Sequence, residues 1–229
     1  MLRFYGRRKG RPLSQNMQRL LRDLLPGYQI SEDSLTALNT AKTPLTSLFA
    51  EQAVTEVSLE IGFGGGEHLA SLAKTRPDNG FIGAEPFING VASLLRHIEF
   101  EQLQNIRIWP DNVRLILDRL PAQSLSCVYI MFPDPWPKSR HARRRIVNQD
   151  ILDKIARLLP SNGHLRMASD HPVAKSWLLA EAIAHPSFHW TARKAEDWRT
   201  RPPGWPETRY MNKGIKEERP ASWFEFEKK

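Results

Sequence analysis

The sequence predicts an α/β fold: a mostly parallel sheet with helices on both faces. Five short apolar runs are each closed by glycine, proline or an acidic residue, and segments of helical spacing separate them. Strand–helix alternation of this kind builds βαβ units, whose crossovers return the chain in the same direction. Size agrees, because 229 residues that are 41% hydrophobic, with seven Trp and ten Phe, bury a core without a disulfide or metal staple.

Residues 1–12 read as a basic, flexible N-terminal arm, and residues 13–229 as a single domain. A first helix is expected over 15–25, where Met17, Leu20, Leu21, Leu24 and Leu25 recur at helical spacing and Pro26-Gly27 end it. The strands are expected at 57–61, 80–84, 106–109, 127–132 and 164–168. Helical patterns fill the gaps at 67–74, 88–102, 113–120 and 149–159. A helix over 173–184 follows, and 188–192 and 223–227 supply late strands, giving a seven-stranded sheet.

Several classes drop out. The longest wholly apolar run is the six residues 127–132, against roughly 20 needed to span a bilayer, so no membrane association is expected. The opening MLRFYGRRKGR has charge without an apolar core behind it and does not read as a signal peptide. A single cysteine, Cys127, excludes an intrachain disulfide and fits a cytoplasmic protein. The seven histidines show no metal-ligand spacing, so no metal is expected. Monomer and homodimer both remain open.

The charge is 33 Lys+Arg against 25 Asp+Glu, net +8. Two acid-free clusters stand out: Arg3, Arg7, Arg8, Lys9, Arg11, Arg19 and Arg22 within residues 1–22, and Lys138, Arg140, Arg143, Arg144 and Arg145 within KSRHARRR. Such clusters suit a polyanionic partner, with a solvated face as the alternative.

In a doubly wound sheet, ligands sit at the carboxyl ends of the strands. The first strand ends in Glu60-Ile61-Gly62-Phe63-Gly64-Gly65-Gly66. A dinucleotide fingerprint would need a third glycine where Glu67 stands, so it fails. A carboxylate before the first glycine suits a ligand with a positive group and no phosphate, such as S-adenosylmethionine; a plain tight connection is the alternative. The second strand ends in Glu85, 23 residues past Gly62, a common distance for an acid that accepts from ribose hydroxyls. Asp111-Asn112 close the third strand and could read an adenine edge, or cap a helix. The fourth ends in Phe132-Pro133-Asp134-Pro135-Trp136-Pro137-Lys138, where alternate prolines stiffen the chain and hold Asp134 above the sheet. Trp136 either stacks on a base or is buried in the core. Asp170 closes the fifth strand.

LEIGFGGG at 59–66, GAEPF at 83–87, FPDPWPKSRHARRR at 132–145 and ASDHP at 168–172 resemble the bacterial tRNA (guanine-N7-)-methyltransferase family in order and spacing. The resemblance implies a class I S-adenosylmethionine-dependent methyltransferase fold, Rossmann-like, and methylation of N7 of guanosine 46 in the tRNA variable loop. It implies that Glu60, Glu85, Asp111 and Asp134 bind S-adenosylmethionine, with Gly62, Gly64 and Asn112 in the same pocket and Asp134 also catalytic. Lys138 and Asp170 would contact the substrate, and Arg140, His141, Ala142, Arg143, Arg144 and Arg145 the RNA. A late motif places Thr208, Arg209, Tyr210 and Met211 at the substrate, with Met211 where the family has glutamate. Two other classes compete. A nicotinamide-dependent oxidoreductase needs the phosphate-cradling pattern that fails here, and a non-catalytic RNA-binding protein would be consistent with Met211.

Overall fold

The computed structural model describes residues 5–40, 42–49, 51–206 and 219–229. Five parallel strands form where the apolar runs lie: β1 (Glu56–Ile61), β2 (Asn79–Ala84), β3 (Ile106–Trp109), β4 (Cys127–Met131) and β5 (His164–Ser169). A short β6 (Phe188–Trp190) and a final β7 (Ser222–Lys228) complete a sheet of order β3-β2-β1-β4-β5-β7-β6. β7 runs antiparallel between β5 and β6. The chain winds outward from β1 in one direction and from β4 in the other, so the switch point lies between them.

The helices are α1 (Gln15–Asp23), α2 (Leu25–Tyr28), α3 (Glu32–Thr40), α4 (Glu67–Thr75), α5 (Ile88–Glu101), α6 (Gln149–Leu158), α7 (Pro172–Ala184) and α8 (Glu196–Arg199). One core joins Leu69, Leu72, Leu94 and Leu95 of α4 and α5 to Leu20 of α1. The other joins Ile151 and Ile155 of α6 and Leu178 of α7 to Val57, Leu59 and Ile61 of β1. β1 is buried along both faces from Val57 onward, as a central parallel strand must be.

Two expected elements differ and one is new. The segment 113–120 is two 3₁₀ turns, Val113–Leu115 and Leu117–Arg119, and not an α-helix. Asn112 accepts from Arg114 N at its head, and Arg157 of α6 donates to the carbonyls of Leu117 (2.6 Å) and Leu120 (3.0 Å). Carbonyls taken from outside are not available to a regular ladder. Pro26-Gly27 do not stop the first helix; they lie inside α2, where proline in the first turn loses no bond. α3 was not expected, because only Leu35 and Leu38 of its nine residues face the core and the apolar pattern is correspondingly thin. Ser31 Oγ accepts from Ser34 N and starts it.

Candidate active site

The carboxyl ends of β1, β2, β3 and β4 meet at the switch point. Ladder bonds continue one residue past β1, β2 and β4: Gly62 N donates to Ala84 O (2.8 Å), Glu85 N to Trp109 O (3.0 Å) and Phe132 N to Ala168 O (2.8 Å). The loops that follow therefore leave the sheet from fixed origins.

After β1 the chain turns through Gly62, Gly64 and Gly66, with φ of +75°, +55° and +83°, and Gly66 caps α4. Facing this turn is Gly90, in the first turn of α5, where a Cβ would lie 2.2 Å from Gly64 O. Only glycine admits that approach of two backbones. Nothing lies within 4 Å of a Cβ placed on Gly62, so the turn is open above.

Two carboxylates are buried beside the turn. Glu60 is 1% exposed and its Oε2 is 2.9 Å from His68 Nδ1 on α4. Glu85 is 8% exposed; its Oε2 accepts from Gly64 N and its Oε1 from Phe87 N, each at 2.9 Å. Glu85 thus clamps the glycine turn to the start of α5 while each oxygen keeps a lone pair for a ligand. Burial pushes its carboxyl above the ordinary value, the two N–H bonds oppose that, and the negative charges of Asp134 and Glu60 add a little to the rise.

Asp111 is partly exposed and pairs with Arg8 of the N-terminal segment at 2.7 Å. It also accepts from Asn112 N. Residues 8–11 are joined to α5: Ile88 N donates to Arg8 O, Gly10 N to Asn89 Oδ1, and Asn89 Nδ2 to Arg11 O. Asn112 is buried and used structurally, its Oδ1 as a cap and its carbonyl accepting from Trp109 Nε1.

Beyond β4 the loop carries Phe132 and Trp136 in the left-handed region, φ +49° and +40°. For non-glycine residues such conformations cost about 1–3 kcal/mol each and persist only where surroundings enforce them. Between them Asp134 is exposed and, among the described residues, has no hydrogen-bond or ion-pair partner. The basic run folds as a 3₁₀ turn, Ser139–Arg144, headed by Lys138, whose carbonyl accepts from His141 N. Lys138, Arg140 and Arg143 are exposed, and His141 and Ala142 are half-buried. Desolvation, then the cations Arg144, Arg140, Lys138 and Arg143, push the His141 imidazole below its ordinary value. Trp136 is half-buried; Arg144 lies over its ring at 4.9 Å and over Tyr5 at 5.2 Å, and His141 packs edge-on at 5.8 Å. Arg145 is buried, unlike its neighbours.

Asp170 is half-buried at the end of β5 and accepts from Arg219 Nε (3.0 Å) and Nη2 (2.9 Å). Thr208, Arg209, Tyr210 and Met211 lie outside the described residues. Glu60, Glu85, Asp111 and Asp134 thus share the rim of β1–β4, with the basic turn directly after Asp134. The contributions of Arg8, His68 and Gly90 were not anticipated; a glycine inside an apolar helical pattern was the one available signal, at Gly90. A cavity of about 430 Å³ is lined by residues of β6, α8, β7 and the loop after α8, including Trp190, Trp205 and Trp223, and by none of the expected site residues.

Residues 54–222 match a family model described as "Putative methyltransferase". A tRNA (guanine-N(7)-)-methyltransferase of Rhodospirillum rubrum is 44% identical over 227 residues, covering 99% of this chain and 88% of the relative. One of Azorhizobium caulinodans is 46% identical over 223 residues, covering 97% and 94%. Among solved structures, an antibiotic-related methyltransferase superposes with a TM-score of 0.56 at 17% identity, covering 86% of this chain and 93% of that one. An rRNA methylase from Streptococcus thermophilus gives 0.52 at 13% identity, covering 79% and 91%. At that identity the structural likeness establishes the fold, a class I methyltransferase sheet.

Proposed function

The chain belongs to the tRNA (guanine-N(7)-)-methyltransferase family, and from that premise we propose that it transfers a methyl group from S-adenosylmethionine to N7 of guanosine 46 in the tRNA variable loop. One observation carries the reading. Asp134 stands exposed on a stiffened loop, without a partner among the described residues, on the rim it shares with Glu85, and the basic turn headed by Lys138 follows it directly.

The rim suits the proposed cofactor. An open glycine turn beside two buried carboxylates accepts from ammonium and hydroxyl donors and repels phosphate. Glu60 would hold the amino group, Glu85 the ribose hydroxyls, and Asp111 the adenine end. When bound, the cofactor supplies a methyl group on a sulfonium, electrophilic enough for direct attack by nitrogen.

N7 of guanine carries an exposed lone pair, so no residue need act as a base. What the protein supplies is alignment and electrostatic complementarity. Positive charge develops on guanine as N7 is alkylated, and N1–H and the exocyclic amine become stronger donors. Asp134 accepts from them and stabilises that charge. Lys138 and the exposed Arg140 and Arg143, with the N-terminal segment, meet the phosphates of the tRNA.

The test is a methylation assay with purified protein, methyl-labelled S-adenosylmethionine and unmodified tRNA transcripts, followed by digestion and nucleoside identification. N7-methylguanosine should form in a transcript with G46 and not in one with A46. Absence of transfer, or label at another atom, would overturn the reading.

A further inference from the structure

We propose that Arg145 is a positioning residue for Asp134, acting through the backbone of the loop that carries it, and not a phosphate contact. The proposal rests on the reading of Asp134 given above. In the sequence Arg145 is the last cation of a uniform basic run. In the fold it is the one that turns inward: it is 8% exposed, while Lys138, Arg140 and Arg143 face solvent. Its Nε donates to Pro135 O (3.2 Å) and its Nη2 to Trp136 O (3.0 Å). The guanidinium lies over the Trp177 ring at 4.3 Å, and that ring is fixed by its own Nε1–H to Val147 O (2.7 Å). Among the described residues no carboxylate is within ion-pair distance of Arg145. A buried charge is tolerated only where hydrogen bonds satisfy it, and here the two carbonyls and the ring do so.

The loop needs this support. Pro133, Pro135 and Pro137 have no N–H, so a regular ladder cannot hold residues 133–137. The two carbonyls that Arg145 grips flank the Trp136 nitrogen and Cα, the residue held at φ +40°. Pro135 is bonded directly to Asp134. Pro133, Asp134 and Pro135 line one small surface pocket together with Arg145, Val147 and Trp177, so the loop sits directly on the buried guanidinium and the ring beneath it. A planar fork spans two carbonyls and lies flat on an indole; an ammonium does neither well. Geometry, not charge, is therefore what Arg145 supplies.

The test compares Arg145→Lys and Arg145→Gln with Arg143→Ala and Asp134→Asn, using single-turnover methyl transfer at saturating tRNA, S-adenosylhomocysteine affinity as the check of folding, and tRNA affinity against salt. Displacing a reacting group by about 1 Å costs about 10²-fold in rate. Both Arg145 variants should therefore slow the saturated single turnover roughly 10- to 100-fold, with unchanged cofactor affinity and salt slope. Arg143→Ala, at an exposed cation of the same run, should instead weaken tRNA affinity and lower the slope by about 1. Adding Arg145→Lys to Asp134→Asn should slow it no further, since both act at one group. A normal rate in Arg145→Lys, a slope lowered by about 1 in Arg145→Gln, or additive losses in the double variant would overturn the proposal. A normal rate in Asp134→Asn alone would instead remove the reading of Asp134 on which the proposal stands.

Discussion

Gly90→Ala tests whether the glycine turn and the start of α5 form one rigid cradle. The added Cβ would lie 2.2 Å from Gly64 O and 3.2 Å from Gly64 C, both backbone atoms. Ordinary contact begins near 3.4 Å, so the turn and the helix must separate by roughly 1 Å. Overpacking of this kind costs about 1–3 kcal/mol. At about 2–4 °C per kcal/mol for a chain of this length, Tm should fall by roughly 2–12 °C. The same shift stretches the 2.9 Å bond from Gly64 N to Glu85 beyond hydrogen-bonding range, so S-adenosylhomocysteine affinity should fall about tenfold or more. Gly27→Ala is the control, because nothing lies within 4 Å of its Cβ. Scanning calorimetry gives Tm and titration calorimetry gives Kd. If Gly90→Ala behaves like Gly27→Ala in both, the cradle argument is wrong.

Two further outcomes follow from charge. Burial raises the Glu85 carboxyl, so in the ligand-free protein this group's contribution to stability is present below the unfolded value and lost as pH rises through the folded one. Ribose hydroxyls need the ionised form, so S-adenosylhomocysteine affinity should rise with pH through a window above the ordinary glutamate range of about 4.3; Glu85→Gln should lack that rise, and a wild-type Kd flat across pH 4–7 would refute the placement. Neutralising Arg140, Arg143 and Arg144 together should flatten the dependence of log K for tRNA on log salt by about 2–3. An unchanged slope would mean that these side chains face no phosphate.

The parallel sheet was legible because each buried strand is an apolar run stopped by a residue that cannot continue it, and the rim was legible because acids stand at those stops. Burial within a run of like residues was not. Arg140 and Arg145 read alike in sequence, yet the 3₁₀ turn ends at Arg144 and the chain then dives toward the buried Val147, carrying Arg145 inside. Asn112, by sequence an adenine reader or a cap, caps the turn Val113–Leu115, and the turn after it gives its Leu117 carbonyl to Arg157, 40 residues later. Gly90 and Gly64 constrain each other across 26 residues, a relation that no local pattern contains. Contacts between distant segments, and not residue types, decided each of these.

The central claim is that Asp134 stabilises the charge developing on guanine, and Asp134→Asn under single-turnover conditions tests it most directly. The substitution keeps shape and one acceptor oxygen, and Asp134 has no partner among the described residues to lose. Folding and tRNA affinity should therefore be nearly unchanged. The amide would turn an N–H₂ toward guanine donors and would carry no charge, and loss of one preorganised contact costs about 10²–10³ in rate. The account predicts that loss in the methyl-transfer step itself. A near-normal single-turnover rate, or a loss wholly explained by weaker cofactor binding, would contradict it.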